Sequence, residues 1–182
     1  MNLRIFIRAI VLGAWLLASP EIYAADGARE AAANFYRSYL KLRQRSGMTG
    51  IPNEPQLAEL SRSITPGLRS LFTAAWREQQ RCIKQFPEDK PPWIEGDIFS
   101  SNFEGYTLFN VPGSRPHKDA RQVTVKFTYV EGKHTVKWTD TLVLRQRAGQ
   151  WLVDDIFYRG HFAFARGFGT NLQSSLKSIP AC

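Results

Sequence analysis

Apolar residues recur along this chain with two different periods, and the change of period divides it into a helical first half and a strand-rich second half. The helical period runs over residues 28–47, over 56–61 and from Thr65 to Pro87. Thr65 and Pro66 supply an N-cap and a first-turn proline to the last of these segments. The pattern therefore predicts three helices, the first and third of them amphipathic.

The strand pattern begins near residues 106–111, and the prolines that follow predict a surface loop over 112–119. Residues 123–129 then alternate apolar and polar side chains, which is typical of a half-buried strand.

A two-residue hairpin turn at Glu131-Gly132 follows this strand. This turn sets Val125 opposite Trp138 and puts Asp140 further along the same inward face. A carboxylate is thus predicted on an otherwise apolar face.

A second turn at Ala148-Gly149 leads to residues 150–158, which are apolar on both faces and are predicted as the central strand. An aromatic, glycine-rich stretch over 162–168 precedes a final short helix at 170–178. Helices followed by an antiparallel meander predict an α+β domain in which the helices back a curved antiparallel sheet, a layout that often encloses a pocket.

The first residues form a separate pattern. Arg4 and Arg8 precede an apolar run over residues 9–18, and the small pair Ala24-Ala25 follows. This order is typical of a secretory signal peptide, here residues 1–24, with cleavage after Ala24. The apolar run is about half of the roughly 20 residues that span a bilayer, so we expect no stable membrane insertion. A single domain over 25–182 and a periplasmic location follow from this interpretation.

The predicted mature chain is basic. Its net charge is +7, because the signal peptide holds two of the 24 basic residues and one of the 16 acidic residues. Such a charge favours anionic partners. Export removes nucleic acid from the choices and leaves acidic proteins or envelope components. The alternative is that the charge serves solubility alone.

The two cysteines, Cys82 and Cys182, predict one disulfide in an oxidising compartment. A catalytic thiol or a cysteine metal site lacks supporting residues nearby. The histidines at 117, 134 and 161 have no zinc-ligand spacing, so we expect no metal, and no phosphate-binding loop or other cofactor motif is present.

Asp140 is the strongest candidate for chemistry. Asp154 and Asp155 point to opposite faces of the next strand, so one of them should share the face of Asp140. With Asp155 or His134, Asp140 would form an acid–base pair in a cleft lined by aromatic residues. The alternative is a structural role, in which Asp140 accepts hydrogen bonds and fixes the sheet.

Aromatic and acidic residues are the candidate ligand contacts. Tyr129 and Trp138 lie on the inward face of the hairpin, and Trp93, Glu95 and Asp97 lie in a proline-rich segment over 90–97. That segment is either a partner-binding edge or a cover for the core. In the second case Glu95 and Asp97 cap backbone amides.

Several short segments together resemble domain-of-unknown-function family 3828, namely Pro91-Pro92, EGDIFSS at 95–101, Glu104-Gly105, WTD at 138–140 and WLVDDI at 151–156. The resemblance spans about residues 35–176. Members of this family are small exported bacterial proteins, grouped with a superfamily similar to nuclear transport factor 2. It implies a cone-shaped, helix-backed sheet, and it implies no particular activity, because the superfamily contains both pocket enzymes and non-catalytic binders such as immunity proteins.

Two functional hypotheses follow. The first is a non-catalytic periplasmic binding protein, an immunity or accessory protein that engages an acidic protein or an envelope ligand. The second is a pocket enzyme of lyase, isomerase or hydrolase type that uses an Asp/His acid–base pair. The oligomeric state is left open by the sequence.

Overall fold

The computed structural model of the chain describes residues 20–162 and 170–178. Helices come first, and a four-stranded antiparallel sheet follows, so the predicted α+β class is confirmed. The elements are α1 (Pro20–Ser46), α2 (Glu54–Leu60), α3 (Pro66–Gln85), β1 (Leu108–His117), β2 (Ala120–Glu131), β3 (His134–Arg147), β4 (Gln150–Phe157) and α4 (Leu172–Lys177).

Capping side chains set the boundaries of the helices. Asn53 accepts a hydrogen bond from the Gln56 amide at 3.0 Å, and the Gln56 side chain accepts one from the Asn53 amide at 2.9 Å, so α2 begins with a capping box. Thr65 caps α3 by accepting from the Leu68 amide, as predicted. Gly47 ends α1 with a positive φ of 63°, a conformation that glycine adopts without strain.

Helix α1 begins earlier than predicted. Its first described residue is Pro20. The predicted cleavage site after Ala24 therefore lies inside α1. Residues 1–19 lie outside the described residues, and the signal peptide stays a prediction.

The β2–β3 hairpin has a different turn from the predicted one. Glu131 pairs with His134, so the turn residues are Gly132 and Lys133, and Phe127 rather than Val125 lies opposite Trp138. Gly132 has a φ of +58°, and glycine at the first central position is typical of a type II′ turn. The predicted strand pairing was wrong by two residues. Because a shift of two keeps each side chain on the same face, the inward and outward faces were still assigned correctly.

Strand β1 is longer than predicted, and the expected loop over 112–119 was wrong. The strand continues through Pro112 and Pro116 to His117, with an irregular register between Asn110 and Gly113. The sheet order is β1-β2-β3-β4, so β1 is an edge strand. Prolines are tolerated there because the missing amide hydrogens need not pair with a neighbouring strand.

Strand β4 is also an edge strand, which corrects the prediction that it is central. Backbone bridges cover its free side, since Val153 exchanges hydrogen bonds with Ser63 and Thr65, and Phe157 bridges to Asn171. These bridges and the packing of α1, α3 and α4 explain why both of its faces are apolar.

Aromatic rings fill the interior between α1 and the sheet. Tyr36 packs edge-on against Phe127 at 4.9 Å between ring centroids, and Tyr39 packs against Phe99 at 4.6 Å. The rings with at most 2 % exposure are Phe35, Tyr36, Tyr39, Phe72, Phe99, Tyr106 and Phe127. An internal pocket was expected from the layout, but in the described part of the chain this space is packed, and the grooves lie at the surface.

The C-terminal helix α4 packs against α3 and β4. Cys82 is buried on α3 and is disulfide-bonded. Cys182 lies outside the described residues, so the pairing of Cys82 with Cys182 stays a prediction. Residues 163–169, which hold most of the aromatic, glycine-rich stretch, also lie outside them.

Candidate functional site

Asp140 lies at the centre of a buried polar cluster. Its side chain has no solvent exposure (0 %). One carboxylate oxygen accepts from the Ser101 amide at 2.8 Å and from the Trp138 indole Nε1 at 3.1 Å. The other accepts from the Arg159 amide at 2.8 Å and from the Ser101 hydroxyl. A carboxylate offers about four lone-pair sites, so these four donors use its accepting capacity.

The pKa of Asp140 is raised above its ordinary value because burial disfavours the charged form. The hydrogen bonds from Arg159, Ser101 and Trp138 act in the opposite direction. Since every one of these donors belongs to the protein, the carboxylate has no open position at which a substrate proton could bind. The geometry thus favours the structural role of Asp140 over the catalytic one.

Asp97 forms a second buried carboxylate anchor. It accepts from the Tyr39 hydroxyl at 2.8 Å, from the Phe99 amide at 2.8 Å and from the Ser100 hydroxyl at 3.0 Å. Burial raises its pKa, and the hydrogen bonds from Tyr39 and Phe99 oppose that shift. Asp97 therefore caps a backbone amide, as one of the two sequence interpretations expected.

The two anchors hold the loop over residues 97–105 between α1 and β3. Buried phenols add to this, since Tyr36 donates to the Phe99 carbonyl at 3.0 Å and Tyr158 donates to the Ile98 carbonyl at 2.7 Å. Burial raises the pKa of both phenols well above the ordinary value, so they stay protonated donors. The cluster thus fixes a loop in place and shows no free acid or base.

Asp155 does not join Asp140. Leu142 pairs with Ile156 and Leu144 pairs with Val153, so a β-bulge leaves two residues, Asp154 and Asp155, opposite Val143 alone. The expectation that one of the two must share the face of Asp140 was wrong, because a bulge breaks the alternation on which it rested.

The two bulge carboxylates bind other groups. Asp155 accepts from the amides of Ile156 and Gln173, and burial raises its pKa. Asp154 accepts from Thr65 at 2.8 Å and from the Arg145 guanidinium at 2.9 Å. Both residues therefore tie β4 to its neighbours.

His134 lies exposed at the start of β3, six residues from Asp140. At about 3.4 Å per strand residue the separation is roughly 20 Å. The predicted Asp140–His134 pair is therefore not assembled.

The proline-rich segment over 90–97 packs onto the chain after α1. The Ile51 amide donates to the Trp93 carbonyl at 3.0 Å, and Trp93 itself is buried. Glu95 is exposed and pairs with Lys90 at 2.6 Å instead of capping an amide. Trp93 and Asp97 are thus parts of the core, and neither is available to a ligand at the surface.

Tyr129 is half-buried and lines a surface groove of about 470 Å³ with Arg43, Met48 and Tyr106. Trp138 is buried, stacks on Phe127 at 5.3 Å and binds Asp140 through its indole nitrogen. Of the five predicted ligand contacts, Tyr129 and Glu95 are accessible, and Glu95 is not among the residues that line the groove of Tyr129.

The outward face of the sheet holds residues that sequence reasoning did not select. Register places Leu108, Thr128 and Lys137 in one row across β1, β2 and β3, and it places Lys126 in the next row. They line a shallow groove of about 400 Å³. The helix that packs on these three strands in the described chain is α1, which covers the opposite face. The sequence did indicate this face, because the polar residues Thr124, Lys126 and Thr128 alternate with the apolar residues of β2.

Lys126 and Lys137 are exposed diagonal neighbours on adjacent strands. Such neighbours lie about 7–8 Å apart, and like charges at this distance repel. Neither lysine forms an ion pair with a carboxylate of the described residues. We call the surface formed by Leu108, Lys126, Thr128 and Lys137 the outer-sheet patch.

Within residues 20–162 and 170–178 no cluster of three or more metal-binding side chains occurs. In the same ranges no helix is both long and apolar enough to cross a membrane.

Comparisons with known proteins add no assigned function. No protein-family model matches the chain, and no curated protein matches it. A crystal structure of a protein of unknown function from Bacteroides thetaiotaomicron is similar with a TM-score of 0.39 and 15 % sequence identity. The match covers 75 % of this chain and 92 % of that one.

Proposed function

We propose that this protein is a non-catalytic binding protein of the bacterial periplasm that engages an acidic protein or an anionic envelope component. An immunity protein or an accessory factor would act in this way. The observation that carries the proposal is the outer-sheet patch, where Lys126 and Lys137 are exposed and pair with no carboxylate of the described residues. Two neighbouring cations that repel each other are stabilised when an anionic group binds between them.

The buried cluster supports a binding role rather than an enzymatic one. Asp140 accepts four hydrogen bonds from the protein, and Asp97 accepts three. General acid–base catalysis needs a group that can exchange a proton with a bound substrate. Both carboxylates are instead used to hold the loop over 97–105.

The sequence pattern of residues 1–24 supports export, and the resemblance to family 3828 supports a cone-shaped fold similar to nuclear transport factor 2. We expect the protein purified from a periplasmic fraction to begin at Ala25, which mass spectrometry of the intact chain measures directly. A chain that keeps residues 1–24 would contradict cleavage at this site.

The test of function uses the mature chain, residues 25–182, to capture acidic proteins and cell-wall fragments from an envelope extract. The informative variant is Lys126→Glu/Lys137→Glu. Its control is Arg69→Glu/Lys84→Glu, which makes the same change of net charge on the exposed side of α3. We expect the outer-sheet variant to lose a retained component that the control still binds.

Salt provides the second measurement. The Debye length falls to about 3 Å at 1 M salt, so binding steered by exposed charges weakens steeply. A component retained equally by the wild type and both variants, at low and high salt, would contradict binding through the outer-sheet patch. Capture of nothing by the wild type would contradict the proposed function itself.

A further inference from the structure

Strand β1 has one free side. The sheet order places β2 on one side of it, and no other described strand pairs with it. An edge strand presents a row of backbone N–H and C=O groups that another extended chain can pair with. Proteins usually block such edges with prolines, bulges or charges.

In β1, the features that hinder pairing with another strand are confined to the second half, residues 112–117. Pro112 and Pro116 cannot donate hydrogen bonds, and the register is irregular between Asn110 and Gly113. Ser114 is further occupied by a hydrogen bond to the Ala25 carbonyl of α1. These features make residues 112–117 a poor template for another strand.

The first half, Leu108–Asn110, has a regular register with Thr128–Lys126. Leu108 is 64 % exposed, which makes it the most exposed of the large hydrophobic residues in the described chain. A regular, unblocked strand segment that also exposes an apolar side chain is the arrangement that edge protection normally avoids. We call this segment the open edge and include Val111, which lies in the irregular register but carries a backbone donor and acceptor.

Cations flank the inward side of the open edge. A groove of about 540 Å³ separates it from α1, and Arg29, Ala33 and Arg37 line that groove at helical spacing. Lys41 continues the same stripe, one turn further on. The helix runs antiparallel to β1, since Ala25 bonds to Ser114 and the Tyr36 ring contacts Phe109 at 5.7 Å. Of the cations in this helical stripe, Arg37 and Lys41 therefore lie toward the Leu108 end of the strand.

Two carboxylates lie at the other end of this groove. Asp26 pairs with Arg29 at 3.2 Å, and Glu30 lines the same wall. Arg37 forms no ion pair with a described carboxylate; its guanidinium donates to the Asn34 side chain at 2.6 Å. The groove is thus close to neutral at its Ser114 end and positive at its Leu108 end.

Lys126 supplies the cation on the outward side, one strand in from β1. Side chains of an added strand would point alternately to the two sides of the sheet. Acidic side chains on one side would therefore approach Arg37, and those on the other side would approach Lys126. The charges flanking the open edge are complementary to an acidic segment whichever way it faces.

We propose that the open edge binds an extended acidic segment of a protein partner by strand addition, with backbone hydrogen bonds along Leu108–Val111 and carboxylates directed toward Arg37 and Lys126. This inference rests on the proposed function and specifies how the acidic partner is held. A partner bound only through its folded surface would use the two lysines and would leave the edge of β1 unpaired.

The experiment uses a fluorescein-labelled ten-residue peptide in which pairs of glutamates alternate with pairs of threonines, so that carboxylates project from both faces of the added strand. Fluorescence anisotropy measures its binding to the mature chain. A twin peptide carries N-methyl groups on its four central residues, which removes backbone donors and keeps every charge. We expect the twin to bind at least about tenfold more weakly, because two lost hydrogen bonds of about 0.7 kcal/mol each correspond to that factor.

Variants of the protein locate the site. Arg37→Glu/Lys126→Glu should weaken binding of the unmethylated peptide at least about tenfold, whereas Arg69→Glu/Lys84→Glu should leave it within about twofold. Equal binding of the two peptides overturns strand addition. So does equal binding of the peptide to both variants.

These outcomes are separable from failure of the proposed function. If the peptide does not bind but envelope capture persists and still depends on Lys126 and Lys137, strand addition is wrong and the proposed function stands. If capture also fails, the proposed function is wrong.

Discussion

Replacing Asp140 by alanine tests whether the buried cluster is structural. The substitution removes the acceptor of four hydrogen bonds. The Ser101 hydroxyl can rotate toward another acceptor, but the amides of Ser101 and Arg159 and the Trp138 indole would each lose a partner. A buried donor left unsatisfied costs about 1–3 kcal/mol, and water that enters the vacated space recovers part of this. We expect a loss of about 3–5 kcal/mol in the free energy of unfolding.

Urea unfolding followed by tryptophan fluorescence and circular dichroism measures this loss, since Trp138 lies in the cluster itself. Asp140→Asn keeps one acceptor oxygen, so its cost should fall between those of the wild type and Asp140→Ala. Asp89→Ala, on an exposed turn, is the control and should stay within about 0.5 kcal/mol of the wild type. A cost below about 1 kcal/mol for Asp140→Ala would refute the anchoring role and reopen the acid–base hypothesis.

Three further measurements test other parts of the structure. Gly105→Ala should lower the thermal midpoint, because φ is +73° and the added methyl group would lie 2.0 Å from Arg43 Nη1; an unchanged midpoint would contradict this strain. The folded-state pKa of Asp140 is raised, so its contribution to stability is fully present below the unfolded pKa of about 3.9 and falls as pH rises through the folded pKa. The cost of Asp140→Ala should thus be larger at pH 4 than at pH 7, and the reverse order would mean that the pKa is lowered. Cys82→Ser and Cys182→Ser should each cost about 4–5 kcal/mol at most, and the double variant no more than either, whereas additive costs would contradict a single bridge.

Local side-chain chemistry made the helices predictable. Thr65 and Pro66 mark the start of α3 by an interaction within one turn, and Gly47 ends α1 by its own backbone freedom. The Ala148-Gly149 turn was equally local, since both residues have positive φ and join β3 to β4 as expected. Elements set by a few neighbouring residues could be predicted from the sequence.

Features that depend on residues distant in the chain could not be predicted from the sequence. The prolines of β1 argue against a strand unless that strand lies at an edge, and the sheet order that makes it an edge depends on the whole chain. The bulge at Asp154 likewise involves distant residues, because Asp154 accepts hydrogen bonds from Thr65, which caps α3, and from Arg145 of β3. The β2–β3 turn was missed by one residue and the strand pairing by two, because either pairing keeps the apolar face inward.

The site shows the same division between local and distant information. Alternation along β3 predicted an inward-facing Asp140, and the structure confirms that position. Its donors could not be predicted, because Ser101 and Arg159 lie 39 and 19 residues away in the chain. When its hydrogen-bond donors are unknown, a buried carboxylate is compatible with a catalytic role and with a structural role. The four donors observed in the structure use the accepting capacity of the Asp140 carboxylate, which favours the structural role.

Because the interior of the described chain is filled by side chains, the grooves open to other molecules lie at its surface. The buried rings and carboxylates hold the sheet as one packed unit, so the spacing of side chains on its outer side is fixed by the strands beneath. The register therefore keeps Lys126 and Lys137 as diagonal neighbours on this face. The same rigidity leaves the open edge of β1 in strand geometry before any partner arrives, which lowers the ordering cost of binding. Under the proposed function, partners are therefore expected at this outer surface and at the open edge, where the described residues leave the two cations without carboxylate partners.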